Sequence, residues 1–173
     1  MIVYNVFSDD ELKVIKDEMY SLKEEEYILT KQRWGKIFNK DEVYATEQGN
    51  ITSNPVSAGV KKLIRNVLIK KVNSDVRFYD FAAYYQIWYK GAGCGLHKDP
   101  IYPFVATFYL NEQWGIDDGG LYIYEDNEEY KMIVPKYNSC NFNLKGSYGL
   151  HCVTPVTDFA HDKRYTIGVW GKG

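Results

Sequence analysis

Residues 164–170 read Arg-Tyr-Thr-Ile-Gly-Val-Trp. In a β-strand successive side chains point to opposite faces. Tyr165, Ile167 and Val169 then share one face, and Arg164, Thr166, Gly168 and Trp170 share the other. The first face is apolar and suits packing beneath a layer of helices. The second carries a guanidinium, and an inward Arg is costly unless it is paired. This one strand therefore predicts a sheet with helices on one side and a polar cavity on the other.

The rest of the chain is consistent with that. Ser8 precedes Asp9, Asp10 and Glu11, the signature of a capping box with acids at the positive end of a helix. Leu12, Ile15 and Met19 recur at helical spacing, so a first helix is expected over residues 9–23. Asn54-Pro55 reads as a cap and first turn, opening a second helix to about Lys71 with Val56, Val60, Leu63, Ile64, Val67 and Leu68 as its apolar stripe. Residues 24–50 give no clear pattern. From Val76 onward short β-rich runs alternate with turn residues, with strands expected near 77–89, 104–110, 120–124, 130–134, 139–144 and 164–170. The expected fold is α+β, mainly β: a double-stranded β-helix, or jelly roll, with N-terminal helices packed on one sheet. Residues 1–173 form a single domain, with 1–75 as helical support and 76–173 as the jelly-roll core.

Composition narrows the function. Aromatic residues make up 16% of the 173, and 16 are Tyr, which suits strands bordering a wet cavity. A net charge of −2 and a pI near 5.9 give no basic face for nucleic acid. The three cysteines, Cys94, Cys140 and Cys152, are odd in number and lack zinc-type spacing, as in a reduced, cytoplasmic protein. No secretory signal and no membrane-length apolar stretch is seen. A monomer or weak dimer is expected.

The chemistry resides in the histidines. His97 and Asp99, two apart in an extended segment, present an imidazole and a carboxylate to one side. His151 could complete a facial triad of two His and one carboxylate, leaving three positions on Fe(II) for a bidentate 2-oxo acid and dioxygen. Arg164 could grip that acid's other carboxylate in a bidentate fork, with Thr166 adding a hydroxyl and Tyr109, inward with Thr107, a phenol. The competing reading leaves His-x-Asp as a common tripeptide and pairs Arg164 with Asp162 at a strand edge. His161, in a polar turn, reads as a surface residue.

The order Tyr89-Lys90-Gly91, His97-Lys98-Asp99, Tyr109-Leu110-Asn111, Gly119-Gly120-Leu121, Pro135, Phe142, His151-Cys152-Val153-Thr154-Pro155-Val156 and Arg164-Tyr165-Thr166 resembles the 2-oxoglutarate/Fe(II)-dependent oxygenases of the prolyl 4-hydroxylase type. The resemblance spans about residues 81–171. It implies that His97, Asp99 and His151 ligate Fe(II), that Arg164 and Tyr109 bind 2-oxoglutarate, and that Tyr89 lines the oxo-acid pocket with Trp170 on the same inward face. It implies a dioxygenase using O2, stimulated by ascorbate and hydroxylating a peptidyl, prolyl-type residue, with Asp99 favouring hydroxylation over halogenation. Tyr122 departs from the usual aliphatic residue and would narrow the pocket. Candidate substrate walls are residues 30–50, with Arg33, Trp34 and Phe38, and the Lys90–Leu96 loop. The alternatives are a hydroxylase of a free amino acid or other small molecule, a nucleic-acid demethylase, which generally carries a second Arg where Trp170 stands, and a non-catalytic metal-binding jelly roll.

Overall fold

The computed structural model describes residues 1–29, 50–99, 102–144 and 149–173; Arg33, Trp34 and Phe38 lie outside them. The strands are β1 (Ile2–Tyr4), β2 (Ile28–Leu29), β3 (Ile51–Pro55), β4 (Asp80–Trp88), β5 (Cys94–His97), β6 (Phe104–Tyr109), β7 (Tyr122–Asp126), β8 (Glu129–Ile133), β9 (Ser139–Leu144), β10 (His151–Val153) and β11 (Arg164–Lys172). The helices are α1 (Asp9–Ser21) and α2 (Ala58–Val67). Two antiparallel sheets result, a large one ordered β1-β9-β6-β11-β4-β3-β2 and a small one ordered β5-β10-β7-β8.

The capping box forms as expected: Ser8 Oγ accepts from Glu11 N, and the Glu11 carboxylate accepts from Ser8 N at 2.8 Å. The α1 stripe of Leu12, Ile15 and Met19 packs with Val60, Ile64 and Val67 of α2 onto Phe81, Tyr85, Phe108, Ile167 and Val169 of the large sheet. Ile167 and Val169 are wholly buried there, each worth roughly 1.5–3 kcal/mol of hydrophobic stabilisation. The helices thus cover the face that strand parity assigns to them.

The start of α2 differs from expectation. Asn54 and Pro55 end β3, opposite Tyr85 and Tyr84 of β4, and the Asn54 amide donates to Glu26 O at 2.6 Å. Ser57 is the cap, its hydroxyl accepting from Val60 N at 3.2 Å. Asn-Pro carries a start signal, but pairing with β4 satisfies Asn54's backbone first. The helix ends in a wider turn over Leu68–Val72, and Ser74–Phe78 forms a tight 3-10 turn before β4. The first 75 residues are therefore more than helical support, since β1, β2 and β3 extend both sides of the large sheet. Among the described residues no helix is long and apolar enough to cross a membrane.

Candidate metal and oxo-acid site

The small sheet positions the side chains of a candidate metal site. β5 and β10 pair so that His97 lies directly opposite His151. Asp99 follows just beyond the end of β5. His151 Nε2 is 3.2 Å from Asp99 Oδ2, and His97 Nε2 is 3.8 Å from Asp99 Oδ1. One ligand atom from each of the three lies within 4.8 Å of the others. Ligands on one face of a metal with bonds of about 2.1 Å sit roughly 3 Å apart, so small side-chain movements suffice to hold an ion. Among the described residues no other group of His, Cys, Asp and Glu converges in this way.

The opposite ring nitrogens select the tautomer. His97 Nδ1 is 2.6 Å from Gly95 O, and His151 Nδ1 is 3.4 Å from Gly149 O. A carbonyl only accepts, so Nδ1 carries the hydrogen in the neutral ring and Nε2 presents its lone pair. Burial, and then the neighbouring His151, hold the His97 imidazole below its usual pKa against the pull of Asp99. A neutral ring is the form that ligates. Both histidines are buried, while Lys98 between the ligands is exposed.

The large sheet contributes the other wall of the same cavity, which measures about 80 Å³. Arg164 is 1% exposed. Its guanidinium lies over the Trp88 indole at 4.6 Å and beside the Tyr109 ring at 5.4 Å. Trp88 is its direct cross-strand partner. Arg164 Nε and Nη1 have no hydrogen-bond partner among the described residues. Asp162 does not serve as one: its carboxylate accepts from Lys163 N at 2.7 Å. Burial draws the guanidinium pKa down to about 10, which leaves it cationic at neutral pH. Burial likewise raises the Tyr109 phenol to about 12, a rise that Arg164 and Asn141 counter. A buried cation with two unsatisfied donors fits the carboxylate of an acid such as 2-oxoglutarate.

Gly120 makes room for this arrangement. Its φ of +60° is a left-handed conformation, and a Cβ there would meet Arg164 Cδ at 2.5 Å and Nε at 2.9 Å. Gly168 does the same for Trp170, whose ring would lie 2.4 Å from a Cβ at that position. Trp170 and Tyr122 both line the cavity, and the Tyr122 ring lies 5.4 Å from that of His151.

Two expected site residues are placed differently. Tyr89 does not line the cavity; its hydroxyl lies 3.1 Å from a Glu24 carboxylate oxygen, and Lys163 covers its ring at 4.7 Å. Parity explains this, because Phe81, Ala83 and Tyr85 of β4 face the helices, and the cavity receives the even-numbered Gln86 and Trp88. Thr166 is inward but lies behind the cavity wall. Its hydroxyl accepts from Trp88 Nε1 at 3.1 Å and donates to Gln86 Oε1 at 3.3 Å. Sequence reading missed Trp88, Gln86, Asn141 and Cys94, whose Sγ is 3.5 Å from His97 Nδ1. The same β4 parity would have found the first two. His161 is exposed, as expected.

No protein-family model matches the sequence, and no curated protein matches it. The fold itself is shared with solved structures of 2-oxoglutarate/Fe(II) oxygenases. A Pseudomonas putida prolyl-4-hydroxylase matches with a TM-score of 0.68 at 16% identity, over 99% of this chain and 91% of that one. A Burkholderia pseudomallei oxidoreductase of the 2OG-Fe(II) oxygenase family matches at 0.67 and 16%, over 99% and 84%. A Trichoplax adhaerens prolyl hydroxylase, in complex with a hypoxia-inducible-factor oxygen degradation domain peptide fragment, also matches at 0.67 and 16%, over 99% and 82%. The chain thus shares the fold of these structures along nearly its whole length.

Proposed function

We propose that this protein is an Fe(II)- and 2-oxoglutarate-dependent dioxygenase that hydroxylates a peptidyl residue of prolyl type. The observation that carries this reading is Arg164: a buried guanidinium with two donors that have no partner among the described residues, in the same cavity as His97, Asp99 and His151. Among the described residues Tyr109 and Trp88 are the neighbours that could stabilise it, and neither takes up Nε or Nη1, so a ligand carboxylate is the natural partner of these donors. His97, Asp99 and His151 hold the metal and leave the remaining positions open. Arg164 and Tyr109 hold the distal carboxylate of 2-oxoglutarate, which orients its keto-acid end towards the metal. Trp88, Trp170 and Tyr122 restrict water around the reacting groups. Bound iron, with 2-oxoglutarate and dioxygen, supplies the oxidising chemistry that the side chains lack. A peptide substrate is supported by the likeness to the peptide-bound Trichoplax structure.

The test is incubation with Fe(II), 2-oxoglutarate, ascorbate and peptide libraries, read by mass spectrometry. Gain of one oxygen on a prolyl peptide, matched by succinate, is the expected result. Oxygen gain confined to free amino acids would replace the peptidyl substrate with a small one.

A further inference from the structure

Tyr109 has two direct cross-strand partners on the inner face of the large sheet, Ser139 on β9 and Thr166 on β11. Both hydroxyls donate elsewhere. Ser139 Oγ donates to Lys136 O at 2.6 Å, and Thr166 Oγ1 bridges Trp88 and Gln86. Among the described residues, Arg164 and Asn141 line the cavity beside Tyr109 and act on its phenol. Asn141 lies two residues along β9 from Ser139, opposite Thr107 of β6. It is 3% exposed and lines the cavity that holds Arg164 and the metal-binding triad. Its Oδ1 has no hydrogen-bond partner among the described residues, so no partner there explains a buried carboxamide at this place.

A guanidinium can only donate, and a carboxamide donates through Nδ2. A phenolic oxygen has two lone pairs and one hydrogen. When Arg164 and Asn141 both donate to it, the hydrogen points away from both, into the cavity, where it needs an acceptor. We propose that Asn141 is a positioning residue for the dicarboxylate: it holds the Tyr109 phenol with its hydrogen aimed at the distal carboxylate gripped by Arg164. This inference rests on the co-substrate reading above. It also accounts for a polar residue at a position on the inner sheet face where an apolar one would avoid burying an unsatisfied acceptor.

The experiment is calorimetric titration of two acids into the Mn(II)-loaded protein. One is 2-oxoglutarate. The other is 2-oxopentanoate, which has the same chain length but a methyl group in place of the distal carboxylate. The proteins are wild type, Asn141→Leu, Tyr109→Phe and the double variant. Asn141→Leu is expected to weaken 2-oxoglutarate roughly tenfold, about the worth of one charge-assisted hydrogen bond, and to leave 2-oxopentanoate within about twofold. In the Tyr109→Phe background it is expected to cost nothing further, because coupled residues are non-additive. Asn141→Asp, which keeps the shape but accepts, is expected to turn the phenolic hydrogen away and weaken 2-oxoglutarate more than Leu does; it tests the inference if the Leu variant fails to fold. Unchanged 2-oxoglutarate affinity in the Asn141 variants overturns the inference and leaves the co-substrate reading intact. So does a further loss from Asn141→Leu in the double variant, where the Tyr109 hydroxyl has already been removed. No binding of 2-oxoglutarate by the wild type overturns both.

Discussion

His97 and His151 are direct partners across the β5–β10 ladder, with ring centroids 4.3 Å apart, and each presents Nε2 to Asp99. The sheet therefore brings together two proposed ligands that are far apart in sequence, and the two glycine carbonyls turn both rings the same way. Removing either ring leaves the ladder hydrogen bonds in place, since these are made by backbone atoms. His97→Ala and His151→Ala are expected to fold and to lose Mn(II) affinity by more than about 100-fold, beyond the 10–100-fold typical of an outer partner. Metal titration with circular dichroism checks this. Wild-type affinity in either variant would contradict the triad.

The proposed role of Arg164 links co-substrate binding to stability. Its Nε and Nη1 are buried and unpartnered among the described residues, which costs about 1–3 kcal/mol. Arg164→Met removes the charge while retaining much of the length. Thermal unfolding without 2-oxoglutarate should show this variant as stable as wild type or up to about 3 kcal/mol more stable. Adding 2-oxoglutarate with Mn(II) should raise the wild-type midpoint by mass action and leave that of the variant at its Mn(II)-only value.

Gly120 packs against Arg164 from outside the cavity lining. A methyl group there would meet Arg164 Cδ at 2.5 Å, on a backbone with φ +60°. Gly120→Ala is expected to destabilise by about 1–3 kcal/mol and to weaken 2-oxoglutarate at least fivefold, with Mn(II) affinity retained. Titration of both ligands separates the two effects.

Tyr89 supplies a negative control. Its hydroxyl faces Glu24 at an exposed position. Tyr89→Phe should leave 2-oxoglutarate affinity within about twofold and change stability by less than about 0.5 kcal/mol. A tenfold loss of affinity would return Tyr89 to the pocket.

Much of this was legible in the sequence because strand parity is a local rule. The alternation over residues 164–170 separated Arg164 and Trp170 from Ile167 and Val169, and the structure places the two sets on opposite faces. The Ser8 capping box is equally local. Register is not local. That Trp88 lies opposite Arg164, that Thr166 bridges Trp88 and Gln86, and that Asn141 comes close to Tyr109 all depend on which residue pairs with which across β4, β11, β6 and β9. The helix start shows the same limit: Asn54-Pro55 carries a start signal that pairing with β4 overrides.

The central claim is that this cavity turns over 2-oxoglutarate, and one measurement tests it most directly. Succinate formation is followed with Fe(II), ascorbate, dioxygen and 2-oxoglutarate, for wild type, His151→Ala and Arg164→Ala. The account predicts succinate from the wild type, even at a slow uncoupled rate without prime substrate, none from His151→Ala, and a sharply raised 2-oxoglutarate requirement in Arg164→Ala, on the order of 2–5 kcal/mol for truncating one side of a buried charge pair. Absence of succinate from a wild-type protein that binds metal, or equal rates in all three, would contradict it.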